Sequence, residues 1–150
     1  MNIKTKFPPP LVALTFGFLI NYTKNIFPKI EIGWGDVFGS IIIIFGIIII
    51  LSAIILFKKY KTTITPLKPS NATKLIVHGI YKFSRNPMYL GLLLVLSGFG
   101  IIQNPIGGLL FVPSFILYIN RFQIIPEESA MLDLFKDDFL KYKENVRRWI

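Results

Sequence analysis

The chain has 150 residues, a formal charge of +9, one histidine and no cysteine. That excludes a disulfide framework, a thiolate nucleophile, Cys-ligated zinc and a multi-histidine metal site. Hydrophobic residues make up 53%, charged residues 17%, and the mean hydropathy is +0.58, values of a membrane protein rather than a soluble domain. The charge is gathered into short stretches between apolar segments, so it argues for membrane orientation and against a nucleic-acid partner.

The first ten residues carry Lys4, Lys6 and three prolines, and Leu11 to Tyr22 is apolar. No small-residue cleavage site follows, so the segment reads as a signal anchor or first membrane helix rather than a removed leader. Residues 23–36 form a polar connection of zero net charge, with Trp34 suited to a membrane interface. Val37 to Phe57 is the clearest span, uncharged and as long as a bilayer core requires. Residues 58–85 then hold seven basic side chains and no acidic one, a positive-inside signal. Met88 to Ile102 and Ile106 to Asn120 are apolar, and Asn104-Pro105 between them marks a turn. They read as a helical hairpin, with Gly98, Gly100, Gly107 and Gly108 allowing close approach near its turn. From Glu127 onward, Met131, Leu132, Phe135, Phe139, Tyr142 and Val146 recur at steps of three and four, the pattern of an amphipathic helix.

The expected fold is therefore all-α: an integral membrane bundle of about four transmembrane helices with a C-terminal amphipathic cytoplasmic helix. Residues 1–57 supply N-terminal membrane helices and residues 58–150 a core, within one domain. With the basic loop inside, both termini are cytoplasmic, and residues 73–91 share the cytoplasmic side with Glu127 and Glu128.

The stretch Thr73 to Gly91 resembles neither a membrane helix nor an ordinary loop. It holds His78, Tyr81, Arg85, Asn86 and Tyr89, and Pro87 places Arg85 and Asn86 at a helix entrance. Arg85 can clamp a carboxylate or phosphate, the tyrosines can face a base or a cation, and two carboxylates can hold a ribose or a cationic centre. A cationic, ribose-bearing, carboxylate-bearing ligand would use all of these, and S-adenosylmethionine has each feature. Each residue also has a plainer reading: Arg85 as a snorkelling interface charge, the tyrosines as an aromatic belt, Glu127 and Glu128 as favourable charge in a first helical turn.

The run Gly79-Ile-Tyr-Lys-Phe-Ser-Arg-Asn-Pro-Met-Tyr-Leu-Gly91 resembles the signature of the isoprenylcysteine carboxyl methyltransferase family, related to phospholipid methyltransferases. The resemblance continues through Glu127-Glu128, Tyr142 and Val146-Arg147-Arg148. It implies a membrane methyltransferase that binds S-adenosylmethionine from the cytosol and acts on a lipid-like or prenylated acceptor. The cofactor contacts it implies are Thr73, Lys74, Leu75, Ile76, Tyr81, Asn86, Pro87, Met88, Tyr89 and Glu127. Arg85, Arg121 and Glu128 are the candidates for acceptor handling and proton transfer, with His78 a second candidate base. Isoprenylcysteine enzymes carry an arginine four residues before the acidic pair. Here that position is Gln123, with Arg121 the nearest arginine, and Asn86 stands where those enzymes have histidine. Both departures bear on the acceptor rather than the cofactor. The alternative is a non-catalytic membrane scaffold that keeps the fold.

Overall fold

The computed structural model describes residues 7–28, 30–60 and 74–150, and every regular element among them is helical. Lys4, Lys6, Lys29, the prolines at 66 and 69, and Thr73 lie outside the described residues. Helix α1 runs Pro9–Tyr22, α2 Gly35–Tyr60, α3 Pro87–Gln103, α4 Pro105–Ile119 and α5 Ile125–Asn145. Prolines open α1, α3 and α4, where the missing N–H is an orphan donor anyway and the fixed φ suits the first turn. Helix α2, 26 residues long, is about 39 Å from end to end, longer than a bilayer core of about 30 Å.

The hairpin of α3 and α4 turns at Asn104, as the Asn-Pro pair implies. The Asn104 carboxamide is buried and used at both ends. Its oxygen accepts from the Gly107 N–H at 3.0 Å, and its nitrogen donates to the Ile20 carbonyl at 3.1 Å and to Thr23 Oγ1 at 3.2 Å. One side chain therefore caps α4 and fastens the end of α1 to the hairpin turn.

Helix α3 packs most extensively against α2, and α1 lies on α3 and α4. The α2–α3 seam is made of glycines spaced by seven: Gly39 and Gly46 on α2, Gly91 and Gly98 on α3. A Cβ at Gly46 would stand 2.7 Å from the Gly91 carbonyl oxygen, and one at Gly98 would stand 2.5 Å from that of Gly39. The two backbones touch, the close approach that small residues permit between apolar helices. Gly100 and Gly108 meet at the hairpin turn as expected, but Gly98 faces α2 instead.

Two elements differ from the sequence reading. Helices α4 and α5 are not separated by a loop. A π-helical turn, Asn120–Ile124, joins them into one rod. Pro126 supplies the reason. It has no N–H for the Phe122 carbonyl and its ring crowds that oxygen, and widening the turn to the π spacing relieves both faults. The acidic pair that follows is thus inside a continuous helix, not at a free N-terminus where the helix dipole would favour it. Helix α5 packs through Met131, Phe135, Phe139, Tyr142 and the adjoining Val146, but Leu132 is exposed, and Lys136 breaks the helix with φ 42°. The amphipathic pattern holds for one stripe and not over the whole helix.

Two helices, Gly35–Tyr60 and the rod Pro105–Asn145, are long and apolar enough to cross a membrane, and Pro87–Gln103 is a shorter apolar helix. Within the rod, residues 105–120 are uncharged and the charges lie from Arg121 onward. Large apolar side chains on α2, among them Phe38, Ile41, Phe45, Ile48 and Leu51, stand exposed.

Candidate active site

The start of α1, the end of α2, the start of α3 and the first turns of α5 come together at one end of the bundle. They enclose a cavity of about 440 Å³, within the range of small-molecule sites. Its wall has an apolar part and a polar part. Pro8, Pro9, Pro10, Ile50, Ile54, Phe57 and Leu92 make the first; Lys74, Arg85, Asn86, Tyr89, Glu127 and Glu128 make the second.

Of the residues singled out from the sequence, Lys74, Leu75, Ile76, Tyr81, Arg85, Asn86, Pro87, Met88, Tyr89, Glu127 and Glu128 all line this cavity. Residues 73–91 and the acidic pair do converge. Arg121 does not join them. It is exposed on the π turn, whereas Gln123 beside it is wholly buried and donates from Nε2 to the Phe7 carbonyl at 2.7 Å. Gln123 so ties the π turn to the chain that enters the proline wall. His78 is also exposed and stands off the cavity, with its ring near that of Tyr60.

The polar groups are held from behind. Asn86 caps the entrance of α3 by position only, and its side-chain amide donates to the Arg148 carbonyl at 3.0 Å. The Arg85 N–H donates to the Arg147 carbonyl at 3.0 Å. The Arg85 guanidinium donates from Nη1 to the Val146 carbonyl at 2.5 Å and from Nη2 to Glu128 Oε1 at 2.8 Å. Arg148 takes Glu128 from the other side, Nε to Oε1 at 3.1 Å and Nη2 to Oε2 at 2.7 Å. The Tyr142 hydroxyl donates to the Tyr81 carbonyl at 2.7 Å, fixing the short 3-10 turn Gly79–Lys82 against α5. Tyr89 donates its hydroxyl to Glu127 Oε1.

The two neighbouring carboxylates are pushed in opposite directions. Burial raises Glu127, the negative charge of Glu128 adds to the rise, and the Tyr89 hydroxyl only partly opposes it, so its carboxyl reaches about 8. Burial also acts on Glu128, but the hydrogen bonds and charges of Arg148 and Arg85 outweigh it and hold the carboxyl below its ordinary value. At neutral pH Glu128 is a fixed anion, whereas Glu127 can hold or yield a proton.

Several wall residues have no distinguishing mark in the sequence. Ile50, Ile54 and Phe57 repeat at one-turn spacing on α2, but a span of isoleucines hides such a face. Pro8 to Pro10 read as an interfacial lead-in. Arg148, behind the wall rather than on it, lies in the stretch covered by the family resemblance, but nothing in the sequence pairs it with Glu128.

Comparison with known proteins agrees with the family suggested by the 79–91 signature. The family model described as phospholipid methyltransferase matches residues 34–138. A protein of Arabidopsis thaliana named Protein-S-isoprenylcysteine O-methyltransferase A is 32% identical over 135 residues, covering 85% of this chain and 66% of its own length. An uncharacterized protein of Haemophilus influenzae is 43% identical over 63 residues, all of its own length and 42% of this chain. No solved structure matches. The chain belongs to the phospholipid methyltransferase family.

Proposed function

We propose that this protein is an S-adenosylmethionine-dependent methyltransferase acting on a lipid-like or prenylated acceptor at the cytoplasmic face of a membrane. One observation carries the reading. In a chain of this family, a single cavity has on its wall the described residues that the signature marks for the cofactor, and an apolar wall beside them.

The donor set fits S-adenosylmethionine. Glu127 and Glu128 suit ribose hydroxyls and a cationic centre, Tyr81 and Tyr89 offer ring faces or edges, and Lys74 and Arg85 suit a carboxylate. Leu75, Ile76 and Met88 supply apolar surface for a purine. Bound there, the cofactor supplies a methyl group already activated by its sulfonium, so the protein's work is orientation and exclusion of water. The cavity wall does the second, being mostly apolar. Glu127 is the carboxyl able to accept a proton near neutral pH, which an amine or hydroxyl acceptor requires and a carboxylate acceptor does not. Glu128, saturated by two guanidinium groups, is better suited to hold Arg85 than to move protons. The apolar end, between the start of α1 and the second half of α2, gives an acyl or prenyl chain a place to lie.

In this reading α1 to α4 span the membrane and α5 lies on its cytoplasmic side. Lys58, Lys59 and the basic residues that follow put the cavity end inside, with both termini there too. Residues 1–150 work as one domain: residues 1–57 supply the proline wall and the α2 face, and residues 58–150 the polar groups.

The deciding experiment gives labelled S-adenosylmethionine to membranes holding the protein and extracts the lipids. Label in one lipid class, lost with Glu127→Ala, is the expected result, alongside roughly micromolar cofactor affinity in detergent. No heat of binding with folded protein would remove the proposal.

A further inference from the structure

Three prolines in succession, Pro8 to Pro10, form one side of the apolar wall. None has an N–H, so this stretch cannot be fixed by donating a backbone hydrogen bond. It is held only through its carbonyls and by packing. The Pro8 carbonyl accepts from the N–H groups of Leu11 and Val12 at 2.9 and 3.2 Å, bonds that start α1 but tie it to no other element. The facing side of the wall, Ile50, Ile54 and Phe57, belongs to α2, whereas the helix that follows the prolines packs mainly on α3 and α4.

The carbonyl just ahead of the prolines is the one held from outside. The Phe7 oxygen accepts from Gln123 Nε2 at 2.7 Å, and Gln123 stands on the π turn of the rod that carries Glu127. The Gln123 side chain is wholly buried, and its own Oε1 has no partner among the described residues. A buried amide oxygen without a donor is costly, and a methionine of nearly the same shape would escape that cost. Stability is therefore not what the amide serves. Nor does Gln123 line the cavity, so it acts on a ligand only through the chain it holds. We infer that Gln123 is a positioning residue: by fastening the Phe7 carbonyl to the rod, it sets where the proline wall stands opposite the α2 face, and so how closely the wall fits an acyl or prenyl chain of the acceptor.

The acceptor part of this inference rests on the proposed methyltransferase reading, while the anchoring part does not. The polar groups proposed for the cofactor are held by other bonds, among them those of Tyr142, Arg148 and Tyr89. Cofactor affinity is therefore expected to be independent of Gln123.

The test is Gln123→Met in the full chain in detergent micelles, first without ligand. Carbon-13 at the phenylalanine carbonyls and nitrogen-15 in proline give coupled signals only at Phe7-Pro8 and Phe27-Pro28, and Phe27→Leu tells them apart. The expected result is an upfield shift of the Phe7 carbonyl carbon, an unmoved Phe27 signal and a Tm no lower than that of the wild type. An unmoved Phe7 signal overturns the anchoring. Kinetics follow in mixed micelles, with the lipid extract of the host membranes and an S-farnesylated cysteine as acceptors. Acceptor KM should rise about fivefold, with kcat and cofactor affinity unchanged. A fall in Tm together with a loss of cofactor affinity makes Gln123 a packing residue and overturns the positioning role. An unchanged KM, against a wild type that transfers, overturns that role and leaves the methyltransferase reading standing. Cofactor binding without transfer to either acceptor overturns the acceptor part alone. A wild type that binds no cofactor overturns the methyltransferase reading and the acceptor part with it, and the carbonyl spectra still decide the anchoring.

Discussion

Replacing Gly91 with alanine tests whether the α2–α3 seam sets the width of the cavity. The new Cβ would lie 2.6 Å from the Gly46 carbonyl oxygen and 2.5 Å from Ile50 Cγ1. Carbon–oxygen contacts of this kind settle at about 3.4 Å, so the two helices must part by about 0.8 Å. The Ile50 side chain can turn aside, but the Gly46 carbonyl belongs to the backbone and cannot. Overpacking on this scale costs about 1–3 kcal/mol, offset by about 1 kcal/mol from alanine's better helix propensity. A net loss of up to about 2 kcal/mol corresponds to a fall in Tm of up to about 8 °C for a chain of this size. Gly17→Ala is the internal control, because its Cβ would meet only Leu96 Cδ1 at 3.8 Å, an ordinary contact. That variant is expected to be neutral or slightly stabilised. Ile50 also lines the cavity, so Gly91→Ala should weaken cofactor binding and Gly17→Ala should not. The assay is thermal unfolding in one detergent, with calorimetry on the same samples. Equal Tm shifts in the two variants would refute the argument that backbone contact, rather than loss of glycine flexibility, governs the seam.

Asn104→Ala is expected to cost about 2 kcal/mol in the same unfolding assay, since it removes a cap from α4 and leaves the Gly107 N–H buried without an acceptor. Tyr142→Phe should cost about 1 kcal/mol and loosen the Tyr81 turn, read as faster amide exchange at residues 79–83. Glu127 gives a pH signature. Its carboxyl is near 8 in the fold against 4.5 for the free group, so its contribution to stability is present below pH 4.5 and is lost as pH rises to about 8. Glu127→Gln should flatten Tm across that window. Glu128 has the opposite sign, its contribution being lost as pH falls below its ordinary value. A cationic cofactor favours the ionised form of Glu127, so its affinity should climb with pH up to about 8 and stay level in Glu127→Gln.

The apolar segments were legible because hydropathy and length are local properties: the α2 span and the Asn104 hairpin follow from composition and one dipeptide. The 79–91 signature and the acidic pair pointed to one cavity because the topology expected from charge and hydropathy returns them to the same end. What escaped was set by contacts between distant stretches. The acidic pair reads as the first turn of a helix, yet the chain before it was already helical and a π turn accommodates Pro126. Gln123 reads as a gap in an arginine pattern, yet its carboxamide fastens Phe7, more than a hundred residues away. Arg121, nearest in sequence to the missing arginine, is exposed on the π turn and does not line the cavity. Arg148 falls in the block that the family resemblance covers, yet its pairing with Glu128 opposite Arg85 is visible only in the fold.

The unbroken join between α4 and α5 carries a mechanical consequence. With α4 spanning the membrane as proposed, the two glutamates ride on the same shaft as a bilayer-embedded rod, ahead of the break at Lys136. A spanning helix answers a thicker or thinner bilayer by changing its tilt. Tilt of this rod would swing Glu127 toward or away from Tyr89 on the neighbouring helix, so the thickness of the surrounding lipid would be felt as geometry at the proposed methyl-transfer centre.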